Sequence, residues 1–163
     1  MKDQIEQILA QWTTERPDLD ASPMAVIGRI SRVSRKVDTR LAATFARHGL
    51  DAAAFDVLAT LRRSGAPYTL SPSELTASTM VTSAAIAQRL NRLEERGLVS
   101  RTKNSSDGRG KKVALTADGL ALVERVLPDH LATEESILAG LSSEERKALA
   151  GLLARIEGTL DRK

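Results

Sequence analysis

Two stretches of this chain carry side chains whose types and spacing suit contact with a polyanion that has readable edges. Between Thr82 and Arg96, at about 100° per residue, Ile86, Leu90 and Leu93 share one helix face, and Ala84, Gln88, Asn91 and Arg92 fall opposite. Ser83, Gln88, Asn91 and Arg92 can hydrogen-bond base edges, while Ala84 permits close approach, so this face suits a duplex major groove. Downstream, Arg101, Lys103, Arg109, Lys111 and Lys112 surround the turn-rich segment 104–110. A basic tip of that kind can lower a guanidinium into a narrow minor groove, where negative potential is concentrated. Asp107, two residues before Arg109, can hold that guanidinium extended through an ion pair. Read separately, the first stretch also fits a solvated amphipathic helix and the second a charged surface loop. The elements around them distinguish these readings.

Other chemistries find little support. The chain has no cysteine, which excludes disulfides, thiolate metal sites and thiol redox sensing. His48 and His130 lie outside any metal-ligand spacing and read as surface or interface residues. No serine sits in a nucleophile elbow, no glycine-rich phosphate loop follows a strand, and no paired carboxylates flank an inferable apolar pocket. The expectation is therefore no enzyme, no catalytic residues, no metal and no cofactor.

The 163 residues suit one compact domain with extensions, and an aromatic content of 2% leaves its core to small and straight aliphatic side chains that favour helices. The net charge of +3 is unevenly distributed. Residues 24–63 and 82–112 each carry eight Lys or Arg against three acids, whereas 1–23 and 113–163 are acidic overall. Such a layout suits a polyanion-binding middle between two interaction arms. No apolar run approaches the roughly 18 residues of a membrane span, and Met1 to Ala10 lacks the basic start of a secretory signal. A cytoplasmic location away from membranes is expected.

Helical spacing predicts a short helix up to Thr13 with Ile5, Ile8, Leu9 and Trp12 on one side. A long helix follows from Pro23 to about Arg47, with Ile27, Ile30, Val37, Leu41 and Phe45 apolar and Arg29, Arg32, Lys36 and Arg40 on another face. Asp51 can cap a helix through Arg63. Ser71 and Glu74 form a capping box for a short helix to Ser78, and another helix runs from Thr82 or Ser83 to Arg96. These three helices have helix-turn-helix proportions. Leu98 to Lys103 and Lys111 to Leu115 read as a β-hairpin. Thr116 caps a helix to about Gly140, bent at Pro128, with Leu120, Val123, Leu127, Leu131 and Leu138 inward. A final helix carries Leu149, Leu152, Leu153, Ile156 and Leu160. The fold class is mainly α with a small β-hairpin wing.

From Phe55 to Gly119 the chain resembles the MarR family of bacterial transcriptional regulators, whose wing is framed as Gly-Leu-Val-x-Arg, Asp-Arg-Arg and Val-x-Leu-Thr-x-x-Gly. Here the same frame reads Gly97-Leu98-Val99-Ser100-Arg101, Asp107-Gly108-Arg109 and Val113-Ala114-Leu115-Thr116-Ala117-Asp118-Gly119. Gly108 stands where the family has its first wing arginine. The resemblance implies a winged helix-turn-helix over 51–116. It also implies an obligate homodimer built from N-terminal helices over 1–50 and C-terminal helices over 117–163. DNA contacts fall on Ser83, Ala84, Gln88, Arg92, Arg101, Lys103, Asp107, Arg109 and Lys111.

A narrower resemblance covers Trp12, residues 16–20, Pro23-Met24 and residues 55–63, and is to the urate-responsive PecS/HucR/TamR branch of that family. Its signature of one Trp, one Asp and two Arg maps onto Trp12, Asp56, Arg89 and Arg101 as ligand-binding residues. An Asp56–Arg89 ion pair would fix the pitch of the recognition helix. A solvated Asp56 beside a phosphate-binding Arg89 is the alternative. The implied function is a repressor that binds a pseudo-palindromic double-stranded DNA operator as a homodimer and is weakened by urate or a related small organic anion. The alternatives are a dimeric helical protein-interaction adaptor and a constitutive repressor without ligand.

Overall fold

The computed structural model describes residues 3–79, 83–103 and 111–161, apart from the side chains of residues 83–87, 103 and 111. Among the described residues the elements run α1 (Gln4–Glu15), α2 (Pro23–Arg47), α3 (Ala52–Arg63), β1 (Thr69–Leu70), α4 (Pro72–Ser78), α5 (Ser83–Glu95), β2 (Val99–Lys103), β3 (Lys111–Leu115), α6 (Ala117–Ile137) and α7 (Ser143–Leu160). The chain divides into two compact units, Met1–Ala42 and Ala43–Lys163, with the boundary inside α2.

In the first unit Asp3 caps α1 by accepting the Ile5 N–H at 3.0 Å, and its second oxygen accepts from Arg29 of α2. Arg32 reaches Gln4 in the same way, so both polar ties join the start of α1 to α2. Ile5 is buried here, whereas Trp12, Val26, Ile27 and Val33 are exposed.

The second unit is organised around α3. Asp51 caps it, and Val57, Leu58 and Leu61 are completely buried. α3 packs against α4, α5, α6 and β3. Leu75, Leu90, Leu93, Val99, Val113, Val123 and Val126 complete this aliphatic core. The sheet is antiparallel in the order β1-β3-β2, with Val99 opposite Leu115 and Lys103 opposite Lys111. β1 is an addition to the hairpin read from the sequence. It covers the open edge of β3, where Thr69 pairs with Ala114 and the Leu115 N–H donates to the Tyr68 carbonyl at 3.1 Å. Two residues have no periodicity to read, and an unpaired edge favours any nearby extended segment.

The passage from α5 into the sheet explains two glycines of the wing frame. Gly97 takes φ +68°, which closes α5 with Gly97 N–H to Glu94 O at 2.8 Å and Leu98 N–H to Leu93 O at 2.9 Å. This is a Schellman cap, with Leu93 and Leu98 buried beneath it. Thr116 then caps α6 by accepting the Gly119 N–H at 3.0 Å while donating to the Gly97 carbonyl at 2.7 Å. A Cβ on Gly119 would lie 1.9 Å from the Leu98 carbonyl oxygen, so the start of α6 can approach β2 this closely only with glycine there.

One expectation is corrected in α6, and the two histidines gain partners. α6 buries Leu122, Val123 and Val126. Leu131, expected inward, is 54% exposed, and Leu120, Leu127 and Leu138 are only half-buried. The helix follows the core only where it faces α3 and β3. His48 and His130, read as surface or interface residues, are tied into this unit. His48 Nε2 lies 2.8 Å from Asp129. The His130 ring lies 4.7 Å from Phe55 and 5.5 Å from Phe45, with Nε2 3.2 Å from Glu134. An imidazole offers flat faces to aromatic neighbours and a polar rim to carboxylates, so partial burial suits it.

Gly119→Ala is expected to destabilise the fold by about 2 kcal/mol, because the blocking atom is backbone and a helix must move. The thermal midpoint should fall by about 4 to 8 °C. An unchanged midpoint would mean that the approach of α6 to β2 is looser than described.

Candidate nucleic-acid interface

The exposed face of α5 is set by what the helix buries. Leu90 and Leu93 enter the core beside α3, and Gln88, Asn91 and Arg92 are left exposed. Ser83 and Ala84 stand in the first turn, and their side chains lie outside the described residues. α4 precedes α5 and is held by a full capping box. Ser71 Oγ accepts the Glu74 N–H at 3.2 Å, and the Glu74 carboxylate accepts the Ser71 N–H at 2.7 Å. Leu75 anchors α4 in the core, and Arg63 of α3 donates to the Ser78 carbonyl at its end.

The wing leaves the same unit directly after α5. Lys103 ends β2 and Lys111 opens β3, facing each other in register, and Lys112 is exposed. Their order along the hairpin brings cationic residues toward its tip. Asp107 and Arg109, expected at that tip, lie outside the described residues.

Arg101 is exposed but already engaged. Its Nε donates to Glu94 Oε2 at 2.7 Å, Nη2 donates to the same carboxylate, and the Arg101 backbone N–H donates to Oε1 at 3.2 Å. α5 and β2 are thereby joined by one carboxylate. The arginine's hydrogen bonds hold the Glu94 carboxyl below the ordinary glutamate range and raise the Arg101 guanidinium.

The proposed anion signature is distributed over both units. Trp12 is on α1 in the first unit and is 42% exposed. Asp56 on α3, Arg89 on α5 and Arg101 on β2 belong to the second. Asp51 brings a carboxylate oxygen to 3.0 Å from Arg89 Nη2. The sequence reading used Asp51 only as a helix cap and did not single out Glu94 or Arg96. Arg96 Nη1 donates to the Gly49 carbonyl at 2.8 Å. Nothing in local spacing marks these partners, because they come from elements brought together by folding. Among the described residues no group of three or more His, Asp or Glu is placed to hold a metal ion, and no helix is long and apolar enough to cross a membrane.

A capped short helix, an amphipathic helix with a polar exposed face and a three-stranded sheet ending in a basic hairpin define a winged helix-turn-helix DNA-binding protein. Comparison with known proteins agrees and is more specific. The MarR family model matches residues 48–110. The transcriptional regulator PecS of Dickeya dadantii is 44% identical over 126 residues, covering 77% of this chain and 76% of PecS. The chain belongs to the MarR family of transcriptional regulators. Among solved structures, Bordetella bronchiseptica BpsR, described with regulation of its DNA binding by 6-hydroxynicotinic acid, is 30% identical with a TM-score of 0.72 over 81% of this chain and 92% of its own. A mutant Escherichia coli MarR in complex with operator DNA is 26% identical with a TM-score of 0.71 over 95% and 99%.

Glu94 in the fold ionises more readily than an ordinary glutamate, so its tie to Arg101 stabilises above the usual glutamate pKa and is lost as pH falls below it. Wild type should therefore exceed Glu94→Gln in thermal midpoint at about pH 6, and the gap should close toward about pH 3. A gap that stays constant over that range would show that the tie does not operate in solution.

Proposed function

We propose that the protein is a ligand-responsive repressor that binds a pseudo-palindromic operator as a homodimer, with one recognition helix in each of two major grooves about one helical turn apart. The observation that carries this reading is the exposed Gln88, Asn91 and Arg92 face of α5, held outward by the buried Leu90 and Leu93. Ser83, Ala84, Gln88 and Arg92 would face bases or nearby phosphates. Lys103, Asp107, Arg109 and Lys111 would serve the wing, with Arg101 at its base.

A second copy of the chain is supported by the C-terminal helices, read as the dimerisation segment 117–163 together with 1–50. α7 buries none of its residues, while Leu149, Leu152, Leu153 and Leu160 are exposed on it and Leu131 on α6. Apolar faces of this extent call for a partner surface.

The effector would be a small planar organic anion, urate or a relative of it, acting at Arg89. That guanidinium is half-buried, and its Nε has no hydrogen-bond partner among the described residues. An anionic acceptor there would supply the missing bond. BpsR, a relative in structure, is described as regulated by 6-hydroxynicotinic acid, which is an anion of this class. A coupling of about 1 to 3 kcal/mol would weaken operator binding roughly 5- to 150-fold.

Gel shifts against the DNA beside the protein's own gene test the first part. Arg92→Ala should reduce affinity roughly 5- to 150-fold if it contacts a base, and Arg109→Ala should reduce the salt slope by about one. Equal affinity for that DNA and for a random duplex would favour the adaptor reading instead. Urate titrated against Trp12 fluorescence and operator binding tests the effector, and unchanged binding at saturation would remove urate while leaving the repressor intact.

A further inference from the structure

We infer that Asp51 is a positioning residue for DNA sequence recognition, acting through Arg89 to set the roll of α5. This rests on the reading of α5 as the operator-reading helix and is independent of any effector. The two carboxylate oxygens of Asp51 have different tasks. Oδ1 accepts the Ala54 N–H at 2.8 Å and caps α3, while Oδ2 forms an ion pair with Arg89 Nη2 at 3.0 Å. Seven residues along α5, Arg96 donates to the carbonyl of Gly49 at 2.8 Å. Seven residues make almost two turns, so Arg89 and Arg96 lie on one face about 10.5 Å apart. Both therefore grasp the same short corner, Gly49 to Asp51, that joins α2 to α3.

That corner is a firm anchor. The Leu50 N–H donates to the Phe45 carbonyl and the Gly49 N–H to the Ala46 carbonyl, each at 3.0 Å, and Phe45 and Leu50 are buried. On the helix wheel the two arginines flank the Leu90/Leu93 seam on one side, and Glu94, tied to Arg101, flanks it on the other. The seam determines which face of α5 is buried, and the flanking ties determine how far it is rotated. A roll of about 20° moves a side-chain tip about 6 Å from the axis by about 2 Å. Hydrogen bonds to base edges do not survive such a shift, whereas attraction to phosphates largely does. Loss of the Asp51–Arg89 tie should therefore reduce discrimination between sequences more than it reduces binding to DNA in general.

Asp51→Asn and Asp51→Ser separate this role from capping, because Asn and Ser cap helices about as well as Asp. The probe is the duplex that the wild-type protein enriches from a random-sequence pool, compared with a scrambled duplex of equal length, with no effector present. In both variants we expect the thermal midpoint to hold within a few degrees and the ratio of selected to scrambled affinity to fall roughly fivefold. Arg89→Gln should lower that ratio similarly, and combining it with Asp51→Asn should add little further. A merely structural role would lower the folded fraction without altering the ratio. An unchanged ratio, or effects of the two substitutions that simply add, would overturn the proposal while leaving the operator reading in place. A pool from which wild type enriches nothing would overturn both.

Discussion

The seam of α3 is the constraint on which the DNA-binding unit depends. Val57, Leu58 and Leu61 are wholly buried, and α4, α5, α6 and β3 all pack against this one helix. The neighbours contribute Leu75, Leu93, Val113, Val123 and Val126, aliphatic residues that fill space without asking for hydrogen bonds. Every surface that can meet DNA is a surface left over from this packing. α5 exposes Gln88, Asn91 and Arg92 because Leu90 and Leu93 are committed on its other side.

Burial of apolar area is non-directional and sets the rotation of a helix only coarsely. Polar ties supply the direction. Arg89 and Arg96 reach the corner between α2 and α3, and Glu94 reaches Arg101 at the base of the wing. Each of these partners is partly solvated, so each tie contributes little to overall stability. On the proposed reading of α5 their importance would lie in geometry, since a hydrogen bond to a base edge is lost within a shift of about an ångström. The packing at Gly119 serves the same end from the opposite side, bringing the start of α6 against β2 and closing the loop between helix and wing.

Beyond this core the described helices bury little apolar surface. α7 buries nothing of its own, and its junction with α6 is held by Arg146, which engages Glu135 and the carbonyls of Leu138 and Leu141. A helical arm with an exposed apolar face suits assembly with a second copy. Two copies would in turn set the spacing of two reading helices, so the same residues that leave the fold incomplete would give the site its reach along the duplex.

Much of this was legible in the residues themselves. Asp51, Ser71 and Thr116 cap the helices they were expected to cap, and the strands fall at Val99–Lys103 and Lys111–Leu115. Caps, turns and periodicity act within a few residues, so a linear reading captures them. β1 escaped because its pairing depends on the free edge of β3, distant in the chain. Leu131 was misplaced because a helical stripe shows which side is apolar but not how far along the helix a neighbour extends. The meeting of Asp51 with Arg89 was equally hidden, since it joins elements that only folding brings within reach. The sequence by itself determined the elements and the chemistry they carry. Only the tertiary structure decided which charges meet, because ion pairing depends on distances of a few ångströms between segments tens of residues apart.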